Sequence, residues 1–185
     1  RYSIATERSA RDLVQVLSEA FALEPMGTAL GVGAHDLVPL VERFMPECTT
    51  NELSVVATPV DDAETVAGAF ICRDYKAPLP GDILADFPFF APVAAVLGAV
   101  DSAYEAQRPG LAIGDAVDLW MVGVDRRFAK RGIASTLFRI AVDVARAKGF
   151  RRVVTECTGH FSQTAARKAG LVERARVSYR DFRLD

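Results

Sequence analysis

Residues 116–157 constrain the fold more than any other part of the chain. AVDLWMVGV is an apolar run of strand length, DRRFAKRG a charged loop, IASTLFRIAVDVARAKG an amphipathic stretch, and RRVVTEC a second strand-like run. Ile133, Leu137, Ile140, Ala141 and Val144 recur at helical spacing, and Gly149 marks the stop. A strand, a helix and a strand joined by short links specify a parallel crossover. The chain is therefore of the α/β class.

The N-terminal half adds antiparallel pairing. YSIAT reads as a short edge strand. Ser9 then stands as a helix cap with Asp12 in the capping-box position, and the helix runs to about Ala22. Pro25 and the glycines of EPMGTALGVG read as a break. A second helix follows in HDLVPLVERFM, with Pro39 acceptable only in a first turn. ELSVVAT and ETVAGAFICRDY, separated by the polar PVDDA, predict a hairpin. Residues 81–110 are expected to be a helical insertion, helical after Pro92. SQTAARKAG reads as a short helix ended by Gly170, and ERARVSYRDF as a last strand. Residues 1–185 thus form one domain.

Composition narrows the function classes. A formal net charge of −2 provides no domain-wide basic field, which argues against nucleic acid as the partner. No run reaches the roughly 18 apolar residues of a membrane span, and no signal-peptide pattern is visible. Cys48, Cys72 and Cys157 are widely spaced without C-x-x-C, so neither a metal site nor a disulfide framework is expected and a cytoplasmic setting is favoured.

Against that balance, Arg126, Arg127, Lys130 and Arg131 cluster before Gly132, where a helix begins. A helix N-terminus exposes unpaired N–H groups and the positive end of its dipole. A glycine lets a phosphate come close, and nearby cations add attraction. The loop reads as a pyrophosphate cradle. It is neither a Walker loop nor a dinucleotide fingerprint, since both glycine patterns are absent. The alternative is a solvated turn.

VDLWMVGVDRRFAKRGIASTLFRIAVDVARAKGF resembles the acetyl-CoA-binding core of the GCN5-related N-acetyltransferases (GNAT). In that superfamily a strand ends in a Q/R-x-x-G-x-G/A loop that opens a helix. The resemblance implies a mixed, mostly antiparallel sheet with one parallel strand–helix–strand crossover and helices on both faces. It places Arg127, Lys130, Arg131, Gly132, Ile133, Ala134 and Ser135 around the phosphates of acetyl-CoA, and Val122, Gly123 and Val124 along its pantetheine arm. Ala129 stands where the superfamily usually has Gln or Arg. Ala166 stands where many members carry a tyrosine that protonates the departing thiolate.

FALEPMGTALG and TGHFSQ are similar to paired motifs of the insect-type arylalkylamine N-acetyltransferases. That narrower resemblance implies Glu24 as general base, with Ser162 and Thr158 near the leaving thiolate at the opening of the fourth helix. Plain structural roles stand beside each: a turn residue for Glu24, a cap for Ser162 and for Thr158. His160 reads as a loop histidine or a proton relay, and Cys157 and Trp120 as core. Phe87, Phe89, Phe90 and Tyr104 are candidates for the wall of an acceptor pocket or for ordinary helix packing.

The expected function is transfer of an acetyl group from acetyl-CoA, the co-substrate, to a primary amine on a small molecule, without a metal. Neither nucleic acid nor membrane is an expected partner, and homodimer formation is left open. Two alternatives are a non-catalytic acyl-CoA-binding module of the same fold and an acetyltransferase acting on a protein N-terminus or lysine.

Overall fold

The computed structural model describes residues 1–183. One five-stranded sheet runs β1 (Tyr2–Ile4), β2 (Val55–Ala57), β3 (Gly68–Asp74), β4 (Ala116–Val124) and β5 (Arg152–Val154) in spatial order. The first three pairings are antiparallel and β4–β5 is parallel. The crossover is made by α6 (Ile133–Ala147), as the 116–157 pattern requires.

Alternation along the strands sends side chains to opposite faces, and each face is covered by helices. Val56, Ala69, Ile71 and Met121 pack under α1 (Ala10–Ala22) and α3 (Ala34–Thr50). Val55, Phe70, Cys72, Val117 and Leu119 pack under α6 and α7 (His160–Lys168), with Phe70 set edge-on to Phe138 at 4.6 Å. Mixed topology and helices on both faces both follow the sequence expectation.

Two local features shape the site. Ile71 pairs with Met121 but Cys72 pairs with Leu119, so Trp120 is an extra residue on β4. This bulge turns Trp120 and Met121 toward the same helical layer, and the Trp120 ring lies 3.9 Å from that of Phe44. Beyond the bulge, β5 no longer follows β4: their pairing covers only Ala116–Asp118. Thr155 Oγ1 donates to Leu119 O at 2.9 Å at the point of divergence. The second feature is Gly123. A Cβ there would lie 3.0 Å from Ala20 Cβ and 3.1 Å from Val16 O, so its absence lets α1 settle on β4.

Several sequence expectations need correction. EPMGTALGVG is not a simple break, because Pro25–Leu30 forms a short helix, α2. Pro25 occupies its first position, where no N–H is needed, and Gly31 ends it with a left-handed φ of 68°. Ser9 does stand at the N-cap of α1, but its hydroxyl bonds backwards instead of to Asp12: a 3₁₀ turn, Glu7–Ser9, precedes the helix, and the Thr6 N–H at its cap donates to Ser9 Oγ at 3.0 Å. Pro39 and Pro46 both lie inside α3 rather than in a first turn. Burial of Leu37, Leu40, Val41, Phe44, Met45 and Cys48 along that helix outweighs the roughly 3 kcal/mol that an interior proline costs. The last strand is absent. Residues 171–183 run without strand pairing, for a tail with no partner edge in register has nothing to hold it extended.

The insertion is helical as expected, with a short α4 (Ile83–Asp86) and a long α5 (Ala91–Glu105) between β3 and β4. No helix among the described residues is long and apolar enough to cross a membrane.

Candidate active site

The divergence of β4 and β5 opens a cavity of about 80 Å³ at the sheet's centre. Phe21, Phe89, Phe90 and Trp120 form much of its apolar wall, and Glu24, Thr158 and Ser162 lie among its polar atoms. Val93 and Leu97 of α5 close one side, so the insertion walls the cavity. Phe89 and Phe90 are thus pocket residues, whereas Phe87 is buried in the core and Tyr104 lines the neighbouring cavity.

Glu24 is placed by the α1–α2 junction. It caps α2 in an extended conformation, with its carbonyl accepting from Thr28 N at 2.9 Å. A Cβ on Gly27 would lie 2.3 Å from Phe21 O, so α2 folds tightly back on α1 only because residue 27 is glycine. The carboxylate accepts a hydrogen bond from Thr158 Oγ1 at 3.2 Å, across 134 positions of sequence. Burial raises the Glu24 pKa above its ordinary 4.5, and the Thr158 hydrogen bond opposes that shift. A partly desolvated carboxylate with a raised pKa is suited to accept a proton near neutral pH.

Thr158 precedes α7 rather than lying in it, since the helix begins at His160. Ser162 lines the same cavity, and its hydroxyl donates to Gly159 O at 2.9 Å and accepts from Gly159 N at 3.3 Å, closing the first turn. His160 is exposed and outside this group, while Cys157 is half-buried against the α6–α7 core.

Tyr179 is a residue the sequence reading missed. It was expected on a last strand, yet its hydroxyl donates to Thr158 O at 2.9 Å, and its pKa is raised by burial and by the Glu24 charge. A phenol therefore sits beside the Glu24–Thr158 pair even though Ala166 is buried in the core.

Lys130 and Gly132 have left-handed φ values of 62° and 77°. A Cβ on Gly132 would meet nothing within 4 Å, so the space before the first helical turn is open. The amides at 133–135 begin a 15-residue helix and have no acceptor within it. Arg126, Lys130 and Arg131 are exposed, and Arg131 lies 5.4 Å over the Phe128 ring. Arg127 differs, because Asp125 holds its guanidinium at 2.6 Å and 2.9 Å. These residues fit a polyphosphate, with Arg127 committed to shaping the loop. Beyond the bulge, the edge of β4 that carries Val122, Gly123 and Val124 has no β5 partner among the described residues.

Residues 94–169 match the model of the Acetyltransferase (GNAT) family. The chain has the GNAT fold. Arylalkylamine N-acetyltransferase 2 from Aedes aegypti superposes with a TM-score of 0.78 at 21% identity, over 98% of this chain and 87% of that one. A putative arylalkylamine N-acetyltransferase 7 from the same mosquito gives 0.75 at 23%, over 94% and 73%. The polyamine N-acetyltransferase of Drosophila melanogaster that forms N-acetylagmatine gives 0.63 at 17%, over 92% and 81%. No match is found among curated proteins. The GNAT resemblance carried by the 117–150 segment, and its narrower leaning toward the arylalkylamine branch, agree with these folds. Among the described residues, no group of three or more His, Cys, Asp or Glu side chains could hold a metal ion.

Proposed function

We propose that the protein transfers an acetyl group from acetyl-CoA to a primary amine of a small molecule, with Glu24 as the general base. The observation that carries this reading is the 3.2 Å contact of Glu24 with Thr158 inside a cavity between the splayed strands. The GNAT fold shared with enzymes named for acetylating arylalkylamines and agmatine supports it.

Acetyl-CoA would lay its pyrophosphate on the amides at 133–135, between Lys130 and Arg131, and its pantetheine arm along Val122–Val124. Backbone N–H groups of β4 would polarise the thioester carbonyl. The acceptor arrives as an ammonium, and Glu24 removes one proton to free the nitrogen lone pair. Nitrogen attacks the carbonyl carbon, the C–S bond breaks, and the thiolate leaves as CoA once protonated. Ser162, Thr158 and Tyr179 are the hydroxyls grouped near that point. The walled cavity favours a small amine over a protein N-terminus or lysine.

The test is thiol release from acetyl-CoA with a panel of amines, beside a thermal-shift titration with CoA. Glu24→Gln should lower turnover about a hundredfold with little change in CoA binding. The wild-type rate should rise with pH through a Glu24 pKa above 4.5, and that limb should vanish in the variant. CoA binding without turnover of any amine would assign the non-catalytic role instead. An active amine on which Glu24→Gln equals wild type would remove Glu24 as base.

A further inference from the structure

A second carboxyl group lies at the cavity besides Glu24. Glu156 lines it and also lines the larger neighbouring cavity of about 1070 Å³. Asp101, one helical turn beyond Leu97 on α5, lines that neighbouring cavity together with Glu156. The charge of Asp118, from the bulged strand, acts on Glu156 and is itself opposed by that of Asp101. Asp118 is only 8% exposed, and its Oδ1 has no hydrogen-bond partner among the described residues. A buried acceptor left unpaired costs about 1–3 kcal/mol, so the arrangement is incomplete as it stands.

The protein's own cations do not complete it. Arg73, whose charge acts on Asp118, donates to Glu47 at 3.4 Å and to the carbonyls of Ala77 and Pro78 at 3.0 and 2.7 Å. Lys76 is paired with Glu105. Tyr75 shares its hydroxyl between Asp101 and Glu105 at 3.1 and 3.2 Å. Burial raises the Glu156 pKa, and the charges of Asp118 and Asp101 add to that shift. The cavity that Glu24 and Glu156 both line has Leu97, Val93, Phe90 and Trp120 in its wall, which suits a hydrocarbon chain and, through the rings, a cation. Among the described residues, no set of side chains offers the metal alternative its ligands.

We infer that the acceptor is a dication, a diamine or longer polyamine whose reacting nitrogen faces Glu24 and whose second ammonium is held by Glu156 and Asp101. This rests on the acetyltransferase reading and deepens it. Binding of the second ammonium needs Glu156 ionised, so the proton that burial favours on its carboxyl is released. Affinity for a diamine therefore rises with pH as that proton is more easily lost, until the amine itself deprotonates. A monoamine of equal length gains no such dependence from this pair.

The experiment compares 1,4-diaminobutane with 1-aminobutane, and 1,5-diaminopentane with 1-aminopentane, for kcat/KM at pH 6 to 9. Wild type should favour each diamine. In Glu156→Gln the diamine-to-monoamine ratio should fall by about tenfold or more, the scale of one charge-assisted contact, and Glu156→Asp should recover part of it. Thermal shifts by the same four amines, read with and without CoA, report binding if no amine is acetylated, so failure of this inference and failure of the acetyltransferase reading are distinct. No diamine preference in wild type, by rate or by thermal shift, overturns the inference. So does a Glu156→Gln variant that keeps the wild-type ratio and its pH dependence.

Discussion

Gly159 offers a way to move Glu24 without changing it. Its φ of −122° and ψ of 160° are open to any residue, so the glycine is not required for its backbone freedom. It is required for space. A Cβ at 159 would lie 2.5 Å from Glu24 Oε2, 3.3 Å from its Cδ and 3.4 Å from Oε1. In Gly159→Ala the carboxylate must retreat by at least about 0.5 Å to reach a tolerable 3.0 Å contact, which strains its hydrogen bond with Thr158. A misplacement of 1 Å costs about a hundredfold in rate, so half of that corresponds to about tenfold. Stability should change little: alanine is the poorer N-cap by about 1 kcal/mol, and restriction of the unfolded chain returns about 0.4–1 kcal/mol. The assay is thiol release on an active amine, with melting temperatures measured alongside. If alanine acts only by displacing the base, its effect should nearly disappear in the Glu24→Gln background, because effects acting through one group are not additive. A full tenfold loss in both backgrounds would refute the proposed route, and a folded Gly159→Ala enzyme at wild-type rate would refute the placement of the base.

Asp118→Asn should stabilise the protein at high pH. Burial pushes the Asp118 carboxyl up to about 7, so between roughly pH 4 and 7 the native state holds a proton that the unfolded chain has lost. Wild-type stability therefore falls as pH rises through that window, and the variant should gain on the order of 4 kcal/mol at most above it, converging with wild type near pH 4. Denaturant melts at pH 4.5 and 8 read this, and an equal difference at both would contradict it. Gly132→Val should fold, since its side chain meets nothing within 4 Å, with about 1–2 kcal/mol of strain from the left-handed φ. It should lose the CoA-dependent thermal shift, and a wild-type shift would place the pyrophosphate elsewhere.

The crossover was legible because its pattern is local: β4, α6 and β5 are consecutive, and Gly132 stands at the helix start. The meeting of Glu24 with Thr158 was legible only through motif resemblance, for nothing in either segment encodes a contact across 134 positions. Pro25 was misread because a proline can stop one helix or start the next, and the Gly27 contact with α1 decides between them. Tyr179 was missed because its course follows from a single hydrogen bond to Thr158 O rather than from any period in the tail. Asp118 carried a signal that went unread: it interrupts the otherwise apolar run of β4, and a charge in such a run needs a partner.

The absent side chain at Gly123 works as a datum for the whole reaction coordinate. Helix α1 rests on it through Val16 and Ala20, and Glu24 follows one turn beyond Ala20, like the tip of a lever above its fulcrum. On the proposed reading the same residue's backbone flanks the acyl donor. Base and electrophile are thus gauged from a single point on β4, so a methyl group inserted there would act as a shim, lifting the proton acceptor away from the very edge against which the thioester is aligned.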